Sequence, residues 1–254
     1  YPSSLYMDIS TGEYWDDILR LLGISKSQLP ELLDSGVKAG KGSEAAAAEA
    51  GIDAGTPVVT GALDQTASMI GAGNCAEGIV TETTGTALAV CATVDGLKLP
   101  ARELGLTVQT HAIPGSYFWL MWSPAGGLAL EWFKNSFYID IDKGNSEIFS
   151  IINSEAAAVG AGSDGLVMLP HLCGAGTPEY DPHAKGVFFG ITQRHTRGHF
   201  ARAVMESVGF MLRQDADLLR AAGLNLREVR SLGGGAKSEL WNRIKADILG
   251  LRIV

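Results

Sequence analysis

The sequence predicts an α/β fold, because short strand-like apolar segments alternate with helix-like segments along the chain. Hydrophobic residues make up 46% and charged residues 19% of the 254 residues, which is typical of a folded chain with a sizeable core. The chain also has 32 glycines, and some of them cluster at 71–73, 126–127, 160–162 and 233–235. At such clusters we expect tight turns, or places where the backbone comes close to a ligand.

The first part of the chain contains two helix-like segments before its first apolar strand. Residues 15–22 have helical spacing with Gly23 as a suitable stop, and alanine and glutamate dominate residues 41–50. We expect a buried strand at 58–60, which continues into Gly61-Ala62-Leu63-Asp64. The small residues at 67–73 then indicate a closely packed helix that leaves this strand.

The remainder of the chain continues the alternation of strands and helices. Residues 79–90 resemble a hairpin whose turn carries glycine and hydroxyl groups. Along 200–222 a single apolar stripe predicts a long helix, on whose surface Arg202 and Glu206 are spaced to pair. We expect Trp119 and Trp122 in the core. Further strands are predicted at 117–122, 166–170 and 229–232, and further helices at 128–133 and 238–249.

Charge and cysteine content exclude several classes of protein. The formal net charge of −8 argues against a general nucleic-acid-binding surface, and no apolar run is long enough to predict a membrane span or a signal peptide. The three cysteines, Cys75, Cys91 and Cys173, show no C-x-x-C spacing, so we expect buried, reduced thiols in a cytoplasmic protein. The histidines between 171 and 199 fit no metal-ligand spacing, and no metal ligand is assigned.

Two glycine-containing turns are candidates for contacts with a nucleotide. A strand, Gly233-Gly234-Gly235 and a helix follow one another at 229–249, and the N-terminus of that helix would favour negative charge. The hairpin tip Thr83-Thr84-Gly85-Thr86 presents hydroxyls that suit terminal phosphates. Each pattern is also compatible with an ordinary structural turn.

Asp64 is the candidate catalytic residue. It follows a predicted strand, and open α/β sheets bind ligands beyond the carboxyl ends of their strands. A carboxylate there could accept a proton from a hydroxyl that attacks a phosphoryl group. An aspartate at a strand–helix junction is also a common helix N-cap, and that alternative stays open.

Several segments resemble the FGGY family of carbohydrate kinases. Residues 186–191 and 199–206 resemble its second signature, residues 231–241 its adenosine-binding loop, and residues 61–65 with 71–73 its catalytic-aspartate segment. The resemblance covers essentially the whole chain. It implies an actin-like ATPase (ribonuclease H-like) fold with two domains, here represented by a fragment. Residues 1–73 would end the N-terminal domain, and residues 74–254 would form a C-terminal nucleotide-binding domain truncated at its C-terminus.

The resemblance also implies roles for particular residues. Asp64 would be the general base, with Gln65 beside it touching the substrate. ATP would be bound by residues from three glycine-rich turns and the start of the last helix; these are Gly85, Thr86, Gly126, Gly127, Gly234, Gly235, Ser238 and Glu239. Magnesium is expected as a cofactor of phosphoryl transfer. The expected partners are ATP and a small sugar, with a homodimer left open and neither nucleic acid nor membrane.

The expected reaction is ATP-dependent phosphorylation of a ketose or polyol. Residues 176–190 look most similar to xylulose kinases, while gluconate, ribulose and glycerol kinases remain alternatives. A non-catalytic, actin-like nucleotide-binding module and a hydrolase that directs Asp64 against water are the rival interpretations. Because the chain starts at Tyr1 and stops within an apolar, strand-like segment, we expect a fragment. The resemblance implies that the family's N-terminal phosphate loop and early sugar-binding residues are missing from it, so we expect the fragment to be a poor catalyst by itself.

Overall fold

The computed structural model describes residues 5–100, 102–141 and 144–254. Its helices are α1 to α7 in chain order: Asp16–Leu22, Glu44–Ala50, Asp64–Gly71, Gly127–Phe137, Asn145–Ala157, Arg197–Ala221 and Glu239–Leu249. Its strands are β1 to β12: Met7–Asp8, Glu13–Tyr14, Lys38–Lys41, Pro57–Val59, Ile79–Thr84, Leu88–Asp95, Thr107–Thr110, Ser116–Ser123, Val167–Leu169, Val187–Phe189, Glu228–Leu232 and Arg252–Ile253. In the part of the chain that is described, no helix combines the length and apolarity needed to cross a bilayer.

A six-stranded sheet organises the fold, in the order β12-β11-β5-β6-β8-β7. Strands β12, β11 and β5 are parallel neighbours, and the predicted hairpin is confirmed as the antiparallel pair β5–β6. Strand β8 pairs antiparallel with β6 over its whole length and with β7 at the edge. Three short two-stranded sheets, β1–β2, β3–β4 and β9–β10, lie outside it.

The two faces of the sheet carry different layers, because side chains alternate along each strand. On one face, β6 contributes Leu88, Val90, Ala92 and Val94 to a large core that also contains buried residues of α4 to α7. On the other face, Cys91 and Phe118 form a small cluster with Met69 of α3. Helix α3 therefore packs on the side of the sheet opposite α4 to α7.

Helix ends follow their capping chemistry. Gly23 and Gly250 adopt the left-handed conformation after α1 and α7, which places glycine where other residues are strained. Thr196 and His199 form a reciprocal pair of hydrogen bonds at the start of α6, so α6 begins three residues before the predicted position 200. Ser238 caps α7 by accepting the N–H of Trp241 at 3.2 Å.

Four predictions about burial are wrong. Strand β4 is exposed along its length rather than buried, because among the described strands it pairs only with β3. Trp119 is buried but Trp122, three positions on and therefore on the other face, is 46% exposed.

Cys91 alone of the three cysteines is buried; Cys75 and Cys173 are exposed free thiols. Arg202 and Glu206 do pair, at 2.8 Å, but their side chains are only 11% and 9% exposed.

Candidate functional site

Three glycine-containing turns meet at one edge of the six-stranded sheet. Strands β5 and β11 are parallel, with Leu232 opposite Thr83, so the turns that follow them leave the sheet at the same edge. Strand β8 ends there too, because Ser123 lies opposite Leu88 at the start of β6. The turns at 85, 126–127 and 233–235 are therefore neighbours, although they are far apart in the sequence.

A cavity of about 620 Å³ lies between these turns and the helices of the larger core. This volume is within the range of sites that hold small ligands. Six residues predicted to bind ATP line it: Gly85, Thr86, Gly127, Gly234, Gly235 and Ser238. The structure thus brings together in one space most of the positions that the glycine patterns singled out.

The glycines of these turns are of two kinds. A Cβ added at Gly127 or Gly235 would collide with the neighbouring turn, at the carbonyl of Gly85 or at the side chain of Thr84. A Cβ added at Gly85 or Gly234 would meet nothing within 4 Å, and neither residue has positive φ. Close packing accounts for the first pair, whereas the second pair leaves room at the cavity for another molecule.

The start of α4 is tied to the hairpin turn. The N–H groups of Gly126 and Leu128 donate to the carbonyl of Thr86 at 3.0 and 3.1 Å, and that of Gly127 donates to the carbonyl of Gly85 at 2.6 Å. These amides are therefore already engaged by protein acceptors. Gly126 does not line the cavity, and its predicted role in binding ATP stays a prediction.

One wall of the cavity was not predicted from the sequence. It is a face of α5 made of Ser146, Phe149, Ser150 and Asn153. The spacing of i, i+3, i+4 and i+7 puts these side chains on one side of the helix, and this mixed polar and aromatic face was the signal available in the sequence. Asn153 is linked across the cavity to the last helix, since its Oδ1 accepts a hydrogen bond from Ser238 Oγ at 2.8 Å.

Ser238 and Glu239 differ in their surroundings, although both were predicted to bind ATP. Ser238 lines the cavity, while the side chain of Glu239 is 81% exposed and forms an ion pair with Arg243. Lys237 and Trp241 complete this side of the wall. Trp241 is anchored below by its Nε1–H, which donates to the carbonyl of Met205 at 3.0 Å.

Asp64 and Gln65 do not line the cavity. Asp64 is exposed and is the first residue of α3, on the other layer of the sheet; its Oδ1 accepts the N–H of Gln65 at 2.8 Å. The N-cap position is occupied by Leu63, so Asp64 is not the helix cap. Burial, with a smaller contribution from the charge of Asp64, raises the pKa of the Cys91 thiol to about 12, which keeps that thiol protonated.

A metal site is not preformed in the described residues, which contain no group of three or more His, Cys, Asp or Glu side chains able to hold an ion. Magnesium does not require such a group, because it is usually held by one or two carboxylates together with substrate phosphates. A second depression, of about 450 Å³, lies on the outer side of α6 beside Phe210 and Arg213. None of the predicted site residues lines it.

The chain is similar to known proteins over its whole length. Residues 2–71 and 79–254 match the N-terminal and C-terminal domains of the FGGY family of carbohydrate kinases. A xylulose kinase of Bacillus subtilis is 31% identical over 251 residues, and a glycerol kinase of Deinococcus radiodurans is 30% identical over 263 residues. These alignments cover 99% of this chain but 49% and 48% of the relatives, so the chain spans about half the length of the curated relatives it matches.

Solved structures give the same result. The crystal structure of a xylulose kinase from Rhodospirillum rubrum superimposes with a TM-score of 0.85 and 30% identity, over 98% of this chain and 49% of that one. The predicted actin-like ATPase fold is thereby confirmed, since it is the fold of these kinases. With both domains of the family matched in order, the chain belongs to the FGGY family of carbohydrate kinases.

Proposed function

We propose that this chain carries the nucleotide-binding part of an ATP-dependent kinase that phosphorylates a hydroxyl group of a small sugar. The observation that supports it most is the convergence of the turns at 85, 127 and 233–235 on one cavity. The open space beside Gly85 and Gly234 adds to it, because a phosphate chain needs close approach to the backbone. The domain boundary between 73 and 74 is part of the same proposal.

In the proposed site, the two ends of the nucleotide meet different walls of the cavity. The turn at Gly85 and Thr86 faces the β- and γ-phosphates, Gly234 and Gly235 lie against the α-phosphate and ribose, and Ser238 with Asn153 borders the base. Lys237, an exposed cation beside Ser238 on the cavity wall, adds positive charge to the site. Glu239 is proposed to lie beyond the base, at the exposed end of the site.

Asp64 is proposed as the general base, with Gln65 at its side holding the sugar. The exposed carboxylate accepts the proton of the sugar hydroxyl as its oxygen forms a bond to the γ-phosphorus. The bond from that phosphorus to the bridging oxygen breaks, and ADP leaves. Magnesium, when bound, would neutralise negative charge on the transferred phosphoryl group.

The test is the substitution Asp64→Asn in the intact protein. Loss of the base should lower the rate of sugar phosphorylation by about 10²- to 10⁴-fold, the usual contribution of a general base. The Kd for ADP, measured by calorimetry, should stay within about twofold, since Asp64 lies outside the cavity. Asp53→Asn, at another exposed aspartate that does not line the cavity, is the control and should leave both values unchanged. Undiminished turnover by Asp64→Asn would refute the assignment.

The rival function is a nucleotide-binding module without catalysis. The observation in its favour is that Asp64 lies outside the cavity. A binding module would bind ADP but show no sugar-dependent release of ADP. A hydrolase would release ADP at the same rate with and without sugar. Measuring ADP release with xylulose, ribulose, gluconate and glycerol separates the three functions and identifies the substrate; xylulose is our first choice because xylulose kinases are prominent among the relatives.

A further inference from the structure

A buried ion pair lies directly beneath the cavity. Lys245 of α7 and Glu82 of β5 are both 0% exposed, with Nζ 2.6 Å from Oε1. Neither residue lines the cavity, so neither would touch a nucleotide. The proposed chemistry gives this pair no direct role. Any role in the site must therefore come from the groups to which the pair is hydrogen-bonded.

Those groups belong to the turns of the proposed site. Thr84 Oγ1 donates to Glu82 Oε2 at 2.6 Å and accepts from Lys245 Nζ at 3.0 Å. Ser231 of β11 also donates its hydroxyl to Glu82 Oε1. The pair therefore connects three parts of the site: Thr84 at the end of β5, strand β11, which precedes the glycine cluster at 233–235, and helix α7, which follows that cluster.

Thr84 is the contact through which this network reaches the cavity. It lines the cavity itself and precedes Gly85. Its Cβ and Cγ2 lie so close to Gly235 that a Cβ added there would come within 2.7 Å, and its carbonyl is similarly close to Gly233. The hydroxyl donates to Glu82 and accepts from Lys245, and these two bonds hold the single side-chain torsion of this β-branched residue in one orientation.

Stability alone does not account for a charged pair at this position. Removing two charges from water is costly, and apolar residues of similar volume are often as stabilising or more so in a core. Lys245 also lies 5.2 Å from the ring centre of Trp241, another residue of the cavity wall. The ion pair fixes the orientation of Thr84 through hydrogen bonds to its hydroxyl, and an apolar pair could not do so.

We infer that the buried Lys245–Glu82 pair is a positioning device that sets the Thr84–Gly85 turn against Gly233–Gly235 and so determines affinity for the phosphate part of the nucleotide. The inference rests on the proposed function. Lys245 and Glu82 are positioning residues, because neither lines the cavity and both act through the residues that they hold, chiefly Thr84. The base end of the cavity is held separately, by the hydrogen bond from Ser238 to Asn153.

The experiment compares ADP and AMP binding to the chain and to the double variant Glu82→Leu with Lys245→Met, which keeps the core filled but removes the hydrogen bonds to Thr84. We expect the Kd for ADP to rise at least tenfold and the Kd for AMP to change less than threefold. A merely structural pair would alter neither value in a variant that remains folded. Unchanged ADP affinity, or equal losses for ADP and AMP, would overturn the inference.

The matched control is a second, largely buried ion pair, Arg202 with Glu206, which holds the loop at Gly162 and Ser163 and does not line the cavity. Arg202→Met with Glu206→Met should lower the melting temperature but leave both nucleotide affinities unchanged. If the Lys245 double variant does not fold, Thr84→Val takes its place: it keeps the volume and loses the hydroxyl. Wild-type affinity for ADP in that variant would contradict the positioning role.

The wild-type chain separates this inference from the proposal on which it rests. A wild-type chain that fails to bind ADP contradicts the proposed function itself. Wild-type binding with an equally tight double variant contradicts only the role of the ion pair.

Discussion

At the scale of the residue, Asp215 is an ionisable group inside the packing of α6. It is 5% exposed, and burial, with a smaller contribution from the charge of Glu179, raises its pKa well above the usual value. The folded chain therefore keeps this proton to a higher pH than the unfolded chain does. Protonated Asp215 therefore contributes to the free energy of unfolding. This contribution is fully present below the unfolded pKa and is lost as the pH rises through the folded pKa.

We predict that Asp215→Asn stabilises the chain at pH 8 and has little effect at pH 4, because the amide stays neutral at both. Urea unfolding across this range measures the effect. Asp217→Asn is the control, two residues along the same helix. Hydrogen bonds, of which the one from Arg213 has the largest effect, lower the pKa of Asp217. The contribution of Asp217 to stability is therefore present at pH 8 and lost in acid. Parallel pH profiles for wild type and Asp215→Asn would disprove the prediction.

At the scale of the element, the turns around the cavity contain two kinds of glycine, which differ in whether the fold leaves space for a side chain. Gly127 and Gly235 are needed because two segments of the backbone touch there. Gly85 and Gly234 contact no protein atom at the position of a Cβ, so the fold by itself does not require glycine at either place. A substitution at each kind of site should therefore have a different effect.

Gly85→Ala and Gly234→Ala should leave the melting temperature within a few degrees of wild type and raise the Kd for ADP by about tenfold, or about 1.4 kcal/mol. The added methyl group would occupy the space proposed for the phosphates. Gly127→Ala should lower the melting temperature instead, because its methyl group would separate α4 from the hairpin turn. Calorimetry and thermal unfolding of the three variants distinguish these effects. Normal ADP affinity in both Gly85→Ala and Gly234→Ala would count against the proposed site.

At the scale of the whole molecule, the cavity joins parts of the chain that are distant in sequence. Its walls come from the β5–β6 turn, α4, α5 and the segment from Gly234 to Trp241. A ligand bound there contacts all of them in the folded state and none of them together in the unfolded chain. Binding must then shift the unfolding equilibrium by mass action.

ADP at one hundred times its Kd should raise the free energy of unfolding by about 2.7 kcal/mol. Denaturant unfolding with and without ADP provides the measurement, using the Kd from calorimetry. Inosine diphosphate at the same concentration is a control for the base end, and we expect a smaller increase with it because Ser238 and Asn153 border the base in the proposed site. No stabilisation at saturating ADP would mean that ADP does not bind the folded chain selectively.

Element types and their order were predictable because they depend on local periodicity and capping. The hairpin at 79–90, the long helix α6 and the strand–glycine–helix unit near the C-terminus all form as expected. The glycine turns of the candidate site were predictable for the same reason, since a local pattern marks each of them. The α5 wall was missed because its residues form no turn and carry no glycine, and they become a site only through what lies opposite them.

Burial was less predictable, because it depends on which second layer covers a surface. Trp119 and Trp122 lie on opposite faces of β8, and alternation alone does not say that the face of Trp122 is only partly covered. Val58 and Val59 have the composition of a buried strand yet remain exposed, with β3 as their one partner among the described strands. The burial of Arg202 and Glu206 likewise follows from the loop packed over α6, not from their spacing.

Local pattern in the sequence was sufficient to determine the α/β alternation, the glycine turns and the family, because dihedral preference, side-chain periodicity and motif spacing are properties of short segments. Tertiary structure alone decided that three turns share one cavity, that α3 and Asp64 lie on the other layer of the sheet, and that Lys245 meets Glu82 beneath Thr84. These are contacts between segments up to 163 residues apart, and strand order and layer packing, rather than local preference, bring such segments together.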